Sequence, residues 1–345
     1  MRQYGKDADE DDIRVRPGRR GSRPRSRNRP KHEDADEGRV LTVDRGRFTV
    51  LVEEDSRRER AIHAVKAREL GRKGVVVGDR VAVVGDLSGE AGSLGRIVRV
   101  EDRSSVLRRT ADDDDPYERI VVANADQLAI VTALADPEPR PRLIDRCLVA
   151  AYDAGMEPLL VLTKSDLASA APLLETYAPL GIKHVVTRHD RFDEPAEPGD
   201  ADEVEQVREL LRGRWTVFVG HSGVGKTTLV NALVPEDRRR ATGRVNTVTG
   251  RGRHTTTSAM ALQLPGADGW VVDTPGFRSF GLSHVDPSRV IHAFPDLGPG
   301  TAECPRACSH DEPDCALDAW VAAGHADPAR LASLRRLLRT REESD

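Results

Sequence analysis

The 345-residue sequence predicts a multidomain fold in which a small β-barrel is followed by an α/β domain and then by a helical domain. Three observations support this prediction. Five short β segments occur between residues 39 and 100, strand and helix patterns alternate from residue 127 to residue 233, and three of the four cysteines lie between Cys304 and Cys315. A chain of this length usually contains two or three domains.

The composition is that of a highly charged protein. Charged residues make up 32% of the sequence and aromatic residues 4%, which indicates large solvated surfaces, and the net charge of −4 does not by itself predict a nucleic-acid partner. No apolar run approaches the roughly 18 residues of a membrane span, and the polar N-terminus has no signal-peptide pattern. We therefore expect a cytoplasmic protein that does not enter membranes. In that compartment, clustered cysteines bind metals rather than form disulfides.

The first 37 residues have the composition of a disordered tail. Nine basic residues, interspersed with Pro, Gly and Ser and without apolar periodicity, follow an acidic stretch: Arg14, Arg16, Arg19, Arg20, Arg23, Arg25, Arg27, Arg29 and Lys31. A solvated extension and an arginine-rich arm that neutralises RNA phosphates explain this composition equally well.

Residues 38–102 are predicted to form a five-stranded barrel of the oligonucleotide-binding (OB) type. The strands are predicted at residues 39–43, 47–52, 60–65, 80–84 and 95–100, and the first two flank a turn typical of a hairpin. The scarcity of aromatic residues argues against sequence-specific base stacking. RNA binding is favoured by the arginines in and after the barrel, which are Arg96, Arg99, Arg103, Arg108 and Arg109. A barrel without a nucleic-acid role is the alternative.

The next part of the chain shows the alternation of strand and helix that is typical of a parallel sheet covered by helices on both faces. Strands are predicted at residues 127–133, 157–162 and 215–219, and an amphipathic helix at residues 142–152. Cys147 lies on the apolar side of that helix, so we expect a buried core thiol rather than a reactive one.

A glycine-rich segment, GHSGVGKT, connects a predicted strand to a predicted helix at Gly220–Thr227. The glycines allow successive backbone N–H groups to surround a polyphosphate at the helix N-terminus. Lys226 can reach the β and γ phosphates, and the Thr227 hydroxyl can ligate Mg²⁺. The predicted phosphate-binding residues are Gly220, His221, Ser222, Gly223, Val224, Gly225, Lys226, Thr227 and Thr228. A strand-to-helix turn that binds no ligand is the alternative.

A second motif, TKSD, follows directly after the strand predicted at residues 157–162. In this position Asp166 can accept hydrogen bonds from the N1–H and the exocyclic amine of guanine, and adenine presents no such pair of donors. The Lys164 side chain can cover the purine ring. Together with the phosphate loop, the motif predicts guanine recognition by Thr163, Lys164, Ser165 and Asp166. The alternative is an ordinary loop capped by Ser165 or Asp166.

Two further segments after the phosphate loop are typical of the nucleotide-sensing switches of a GTPase. The first, RGRHTTT at residues 251–257, contains threonines that can close over Mg²⁺ and the γ phosphate. In the second, DTPG, Asp273 can hold Mg²⁺ through water and the Gly276 N–H can contact the γ phosphate. A phosphate loop followed by two such segments predicts a GTP hydrolase.

The order of these motifs differs from that of small GTPases, because TKSD precedes the phosphate loop. With the barrel and the cysteine cluster, this rotated order resembles the ribosome small-subunit-dependent GTPase A family of circularly permuted GTPases, over residues 38 to the C-terminus. The resemblance rests on TKSD, GHSGVGKTT, GRHTTT, DTPGFRSFGL and the cysteines. It implies GTP hydrolysis with Mg²⁺ in late small-subunit maturation, binding of the small ribosomal subunit and its rRNA, and stimulation of hydrolysis by the subunit. By the same resemblance His254, Thr255 and Thr256 belong to switch I.

The residue after DTPG bears on the rate of hydrolysis. Phe277 stands where a Gln would orient the attacking water, and its ring cannot hydrogen-bond to water. We therefore expect slow hydrolysis by the protein alone, with His254 as the candidate to position the nucleophile once a ribosomal partner has placed it.

The C-terminal cluster has the donors of a structural zinc site: Cys304, Cys308, His310 and Cys315. Three thiolates and one imidazole complete a tetrahedral set, which leaves no position for a catalytic water. A cysteine-rich loop without metal, or a disulfide, is the alternative. The surrounding sequence predicts helices, and the last, at residues 328–341, carries basic residues that either contact rRNA or face solvent.

These observations predict four segments: a disordered arginine-rich tail (1–37), an OB-fold RNA-binding domain (38–102), a circularly permuted GTPase domain (103–281) and a zinc-binding helical domain (282–345). We expect a monomer that binds GTP and GDP. Two other functions stay open: an ATP-dependent kinase or ATPase with the same phosphate loop, and an RNA-binding protein with an inactive nucleotide site. TKSD argues against the first, and Lys226, Thr227 and Asp273 argue against the second.

Overall fold

The N-terminal strands close into the predicted barrel. The computed structural model describes residues 32–54, 56–71, 74–109, 119–188, 201–236, 259–276, 281–282, 285–306 and 308–342. The barrel strands are β1 (Asp36–Asp44), β2 (Arg47–Val52), β3 (Arg60–Lys66), β4 (Arg80–Gly85) and β5 (Gly95–Val100). They pair in the order β1-β2-β3-β5-β4, and β4 pairs again with β1. This closed five-stranded sheet, with β3 and β5 parallel, confirms the OB-type barrel.

The first hairpin forms because its two turn residues adopt left-handed backbone conformations. Arg45 has φ +44° and Gly46 has φ +84°, as a two-residue type I′ turn requires. Strand β1 also begins two residues before the boundary predicted at residue 38, since Asp36 and Glu37 pair with β4. The end of the predicted disordered tail is therefore part of the barrel, and residues 1–31 lie outside the described residues.

The barrel core consists of the alternate side chains that point inward. Val40, Val50, Val83 and Ile97 are fully buried, and Ile62 is 1% exposed. Because successive residues of a strand face opposite sides, the intervening side chains form the outer surface of the barrel.

A second sheet follows the barrel, after a short hairpin of β6 (Val106–Arg109) and β7 (Arg119–Ala123). Its strands are β8 (Gln127–Ala133), β9 (Glu157–Thr163), β10 (Lys183–Val186), β11 (Trp215–Gly220), β12 (Met260–Gln263) and β13 (Trp270–Asp273). They pair in the order β10-β9-β8-β11-β13-β12. The first five strands of this order are parallel and β12 is antiparallel to β13.

Helices cover both faces of this sheet, as the sequence predicts. They are α1 (Pro141–Asp153), α2 (Ala171–Tyr177), α3 (Ala201–Leu211) and α4 (Lys226–Leu233). Ile144 and Leu148 of α1 pack in one core with Leu128 of β8, whereas Leu211 of α3 and Leu229 of α4 pack on the other side. Cys147 of α1 is 1% exposed, and burial raises the pKa of its thiol to about 12. Its surroundings are therefore those of the core thiol that the sequence predicts.

Strand β12 joins the barrel to the α/β sheet. Its other neighbour is β1, with Met260 opposite Thr42, so the two sheets form one continuous sheet of eleven strands. The barrel is therefore attached to the edge of the α/β sheet through backbone pairing as well as through the chain connection.

The C-terminal part consists of α5 (Pro287–Val290), α6 (Ala316–Ala322), α7 (Pro328–Glu342) and short 3₁₀ turns. Leu331, Leu334 and Leu337 of α7 are buried in the same core as α1. Among the described residues, no helix is long and apolar enough to cross a membrane.

The arginines of α7 bind the rest of the protein. The Arg330 guanidinium lies 2.6 Å from an Asp296 oxygen, Arg335 donates two hydrogen bonds to Asp318, and Arg336 lies 3.2 Å from Asp145 of α1. Arg339 pairs with Asp311 at 3.1 Å. The side chains of Arg330, Arg335 and Arg336 are at most 33% exposed and pair within the fold, so neither predicted role of this basic helix, rRNA contact or a solvated face, accounts for them. Arg339 is 57% exposed, and its pair with Asp311 lies at the surface.

The pair of Asp145 and Arg336 predicts a pH-dependent stability. Burial raises the pKa of Asp145, and Arg336 partly offsets this effect. Without the guanidinium, the buried and ionised Asp145 carboxylate loses its cationic partner, which destabilises the folded protein at neutral pH. Protonation of the carboxylate at low pH removes this destabilisation. Arg336→Ala should therefore lower the free energy of unfolding by on the order of 2 kcal/mol near neutral pH and by less near the pKa of a free carboxyl.

Chemical denaturation at the two pH values measures this difference. Arg68→Ala, at an exposed barrel residue, is the control and should change stability little at either pH. An equal loss for Arg336→Ala at both values would show that the ion pair is not its cause.

Candidate functional site

The phosphate-loop segment lies between β11 and α4, at the carboxyl end of the parallel strands. Gly220 ends β11, and a Cβ at this position would overlap the Val131 carbonyl oxygen of β8. Gly223 and Gly225 have φ +85° and +87°, conformations that L side chains rarely adopt. Gly220 is thus required by a close backbone approach, and Gly223 and Gly225 by a positive φ. The loop is shaped as a phosphate loop requires, with its last residues entering the first turn of α4.

The Lys226 side chain points into the protein beside the DTPG segment. It is 6% exposed, and its amine contacts the Asp273 carboxylate and the Thr274 carbonyl oxygen. Asp273 ends β13 and is fully buried. The Thr274 hydroxyl donates to the Phe218 carbonyl oxygen of β11 at 2.7 Å. The structure therefore brings together the lysine and the carboxylate that the sequence assigns to phosphate and magnesium.

Gly276 lies directly against the phosphate loop. A Cβ added to Gly276 would be 3.3 Å from both the backbone nitrogen and the Cα of Ser222. Thr227 and Thr228, in the first turn of α4, are half-buried, and the His221 ring lies 2.8 Å from the Ser222 carbonyl oxygen. This close approach places the Gly276 backbone where it can contact a phosphate held by the loop.

The TKSD segment is connected to the phosphate loop by a hydrogen bond. The Thr163 hydroxyl, at the end of β9, donates to the Val224 carbonyl oxygen at 2.6 Å, and Thr163 is fully buried. Lys164 has φ +62°, and its amine contacts the Asp136 carbonyl oxygen. The Asp166 side chain is exposed. Two motifs that lie far apart in the sequence thus form one site at the carboxyl ends of β9 and β11.

Thr187 is a site residue that the sequence does not identify firmly. It follows β10, its N–H donates to the Leu162 carbonyl oxygen at 2.7 Å, and its own carbonyl accepts from the Ser165 N–H at 3.2 Å. Its hydroxyl is buried, and no described residue hydrogen-bonds to it. The sequence signal that could have identified Thr187 is its position directly after β10, the strand that neighbours β9. A short polar residue at that point borders the TKSD loop.

The predicted switch I residues His254, Thr255 and Thr256 lie outside the described residues, as does Phe277. The structure therefore describes the phosphate loop, TKSD and the DTPG segment, and the assignment of switch I stays a prediction.

The four predicted metal ligands converge on one point. One ligand atom from each of Cys304, Cys308, His310 and Cys315 lies within 4.8 Å of the others. The Cys304 sulfur is 3.6 Å from His310 Nδ1 and 3.9 Å from the Cys315 sulfur, and the Cys315 sulfur is 3.9 Å from His310 Nδ1. Tetrahedral zinc with ordinary bond lengths would separate two sulfurs by about 3.8 Å and a sulfur and a nitrogen by about 3.6 Å. The donor set and its spacing both fit this ion.

Helix α7 holds the backbone of this cluster. Arg335 Nε donates to the His310 carbonyl oxygen at 2.7 Å, and the same guanidinium binds Asp318 of α6. His310 itself has φ +69°. The arginine therefore supports a loop residue in an unusual backbone conformation, which is a common role of groups around a metal site.

Comparison with known proteins identifies the family. Residues 100–283 match the model of the RsgA GTPase family. The chain is 36% identical over 293 residues to the small ribosomal subunit biogenesis GTPase RsgA of Chlorobaculum parvum, with 82% of this chain and 91% of that protein covered. The chain belongs to the RsgA GTPase family. It is 42% identical over 233 residues to the RsgA of Pseudomonas aeruginosa (strain LESB58), with 65% of each chain covered.

Solved structures agree with this membership. YjeQ from Thermotoga maritima has a TM-score of 0.61 at 27% identity, over 89% of this chain and 98% of that one. YloQ, described as a circularly permuted GTPase, has a TM-score of 0.61 at 21% identity, over 91% and 98%, and supports the fold alone. The protein is thus a GTP-hydrolysing enzyme with a circularly permuted GTPase domain, as the motif order predicts.

Two of the arginines predicted to favour RNA binding have partners within the fold of this RsgA-family protein. Arg103 makes two hydrogen bonds to the fully buried Asp79, at 2.6 and 2.8 Å, and Arg99 pairs with Glu101 at 2.7 Å. Arg96 and Arg108 are exposed, and the Arg109 side chain lies outside the described residues. Arg103 is therefore a structural residue, because the ion pair supplies the charge that Asp79 needs in order to be buried.

The bond from Thr163 to Val224 predicts a specific contribution to nucleotide binding. Thr163→Val keeps the shape of the side chain and removes its donor, which leaves the Val224 carbonyl oxygen without that partner and loosens the phosphate loop. GTP affinity should fall roughly tenfold, from the usual cost of such a loss. Titration with a fluorescent GTP analogue measures the change.

The control is Thr176→Val, since the Thr176 hydroxyl also donates to a carbonyl oxygen, that of Pro172 in α2. It should bind GTP normally, and Thr163→Ser should keep most of the affinity. Equal affinities for Thr163→Val and the unmutated protein would contradict this role.

Proposed function

We propose that this protein binds the small ribosomal subunit and hydrolyses GTP in late small-subunit maturation, and that the subunit stimulates hydrolysis. The observation that carries the proposal is the meeting of the phosphate loop, the DTPG segment and TKSD at one edge of a parallel sheet, in permuted chain order. Its relatives, named small ribosomal subunit biogenesis GTPase RsgA, supply the partner. We further propose that it acts as a monomer in the cytoplasm.

In this proposal the phosphate loop, residues 220–228, holds the phosphates of GTP or GDP. Lys226 binds the β and γ phosphates, for which it exchanges its contact with Asp273. Thr227 and Asp273 hold Mg²⁺, which neutralises the charge that develops on the phosphates. Thr255 and Thr256 close the site as switch I, and the Gly276 N–H contacts the γ phosphate.

The guanine base occupies the side of the site formed by TKSD. The exposed Asp166 carboxylate accepts the two guanine donors, Lys164 covers the ring, and Thr163 keeps this loop in register with the phosphate loop. Ser165 and Thr187, which share a backbone hydrogen bond, border the base.

Hydrolysis by the protein alone is proposed to be slow. Phe277 follows DTPG in the sequence and cannot orient the attacking water. His254 is the candidate to do so, and the subunit is proposed to place it. Stimulation by the partner follows from this division of roles.

The rRNA contact is proposed for the outer face of the barrel. Arg47 of β2 lies opposite Val65 of β3, which lies opposite Arg96 of β5, and both arginines are exposed. Directly opposite residues of neighbouring strands face the same side, so the two guanidinium groups belong to one surface. His63, exposed on β3 at the next outward position, extends it. This surface is more suitable for phosphates than α7, of which Arg330, Arg335 and Arg336 are paired inside the fold.

The cluster of Cys304, Cys308, His310 and Cys315 is proposed to hold one structural Zn²⁺. The ion would fix the loop between α5 and α6, because so small a helical unit has little core of its own. The spacing of the donors and the support of His310 by Arg335 favour this proposal.

Nucleotide selectivity tests the enzyme part of the proposal. Asp166→Asn replaces one carboxylate acceptor by an amide and should reduce GTP affinity by a factor of about 100 or more, with loss of the preference over ATP. Competition of GTP and ATP for the unmutated and variant proteins measures this preference. Lys226→Ala should abolish GTP hydrolysis, both alone and combined with Asp166→Asn. Equal GTP and ATP affinities in the unmutated protein would favour the ATPase alternative.

The ribosomal part is tested by the rate of GTP hydrolysis with and without purified small subunits. Stimulation is expected, and binding to the subunit should weaken as salt rises. Arg47→Glu with Arg96→Glu should lower the affinity and reduce the slope of log affinity against log salt by about one per lost phosphate contact. The control is Arg212→Glu, which makes one such charge reversal at an exposed residue of the α/β domain and is compared with each single barrel variant. An unchanged slope for the barrel variant would exclude this face.

Zinc is tested by metal analysis. The purified protein should contain one Zn²⁺ per chain, and Cys308→Ser should lower this content and reduce subunit-stimulated hydrolysis while GTP affinity is kept, since the phosphate loop and TKSD lie on other elements. Full zinc content in the variant would exclude Cys308 as a ligand. Lost zinc with normal stimulation would show that the metal has no part in the response to the subunit.

A further inference from the structure

Strand β12 is paired on both sides at one residue. Met260 lies opposite Asp273 of β13 and opposite Thr42 of β1. Thr42, Met260 and Asp273 therefore form a single row across three strands. One end of this row belongs to the barrel, and the other is the buried carboxylate beside Lys226.

The other end of β12 is also attached to the barrel. Gln263 Nε2 donates to the Glu59 carboxylate, directly before β3, at 3.1 Å. Gln263 lies opposite Trp270 of β13, and the Trp270 ring stacks on that of Trp215 of β11 with centroids 5.1 Å apart. The barrel thus contacts β12 at its first and last residues.

An arginine of the barrel also contacts β11, the strand on the far side of β13. The Arg39 guanidinium of β1 lies 3.4 Å from the centre of the Trp215 ring, donates to the Asn124 carbonyl oxygen at 2.6 Å, and is 7% exposed. Burial lowers the pKa of Arg39 to about 10, so it stays charged at neutral pH. Such a desolvated cation–π contact holds β1 against the sheet that contains the site.

The chain position of β12 makes this attachment relevant to the reaction. Met260 is four residues after Thr256, and β13 ends at Asp273, so β12 connects the two segments predicted to sense the γ phosphate. Bound Mg²⁺ and γ phosphate order such segments in GTPases, and release of the phosphate frees them. The order of β12 should therefore depend on the nucleotide.

We propose that strand β1 of the barrel positions β12 and Asp273, and that nucleotide state and RNA binding by the barrel are coupled through this strand. The inference rests on the proposed function and names its regulation. Glu59, Gln263 and Arg39 are positioning residues in it. Because coupling is reciprocal, GTP should order β1, and a ribosomal ligand on the barrel should order β12, which connects the two predicted switch segments.

The barrel's second backbone contact does not provide this route. Val77, between β3 and β4, pairs with Val122 of β7. In the described part of the chain, β7 pairs with β6 in a separate sheet and is not a neighbour of β12 or β13. Among the barrel strands, it is β1 that pairs with a strand of the α/β sheet.

Amide hydrogen exchange tests the coupling in the full chain without ribosomes. With a non-hydrolysable GTP analogue and Mg²⁺ instead of GDP, exchange should slow roughly fivefold or more in residues 39–43 and 260–263, the low end of usual coupling factors. Residues 95–100 of β5, which is not paired with β12, should not change. Either nucleotide, compared with none, should protect residues 220–233, which reports binding itself.

A double variant, Glu59→Ala with Gln263→Ala, should keep this protection of residues 220–233 and lose most of the GTP-dependent protection of residues 39–43. Exchanging the pair, Glu59→Gln with Gln263→Glu, should restore it. Glu101→Ala removes the Arg99 ion pair within the barrel and is the control for stability effects.

The outcomes separate the two proposals. Protected residues 220–233 with no GTP-dependent change in residues 39–43 of the unmutated protein would overturn the coupling and leave the GTP site in place. Full β1 protection in the double variant would remove Glu59 and Gln263 from it. No protection of residues 220–233 would refute the nucleotide site, and the coupling would fail with it.

Discussion

The nucleotide site depends on the parallel pairing of β8 with its two neighbours. Ala133 of β8 lies opposite Thr163 of β9, and Val131 lies opposite Gly220 of β11. TKSD and the phosphate loop therefore leave the sheet at the same edge, although the first precedes the second in the chain. A site formed by strand ends requires only the spatial order of the strands. For this reason the chain can be permuted without a change in the geometry that binds a nucleotide.

Much of the fold could be predicted because its signals are local. The strands at residues 47–52, 95–100 and 127–133 were predicted with the bounds that the structure has, since alternation or continuous apolar character and adjacent turns define them. The phosphate loop was predictable because each glycine answers a local requirement, either a positive φ or a close backbone approach. The metal ligands lie within twelve residues of sequence, so their convergence needed no knowledge of the fold.

What could not be predicted depends on contacts between distant segments. A basic helix such as α7 has the same sequence pattern whether its arginines face RNA or bury against Asp145 and Asp296, and only the packing of α7 on α1 decides. Arg103 likewise became a structural residue because Asp79, in another loop, is buried beside it. Thr187 belongs to the site through two backbone hydrogen bonds, one to the end of β9 and one to the loop that follows it. Backbone bonds of this kind cannot be predicted from the residue type.

The permutation also determines where the barrel meets the site. With TKSD first and DTPG last, the barrel is joined in sequence to β8, in the middle of the sheet, through β6 and β7. Its strand β1 nevertheless pairs with β12, at the edge of the sheet beside β13. The barrel is thus anchored at two separated strands, one covalently and one by hydrogen bonds. Two anchors restrict rotation of the barrel far more than a single linker would. Movement of β12 relative to β8 must then be accommodated either by the barrel or by breaking the pairing of Thr42 with Met260. Under the proposed coupling, a shift of β12 therefore either moves the surface that carries Arg47 and Arg96 or breaks this pairing.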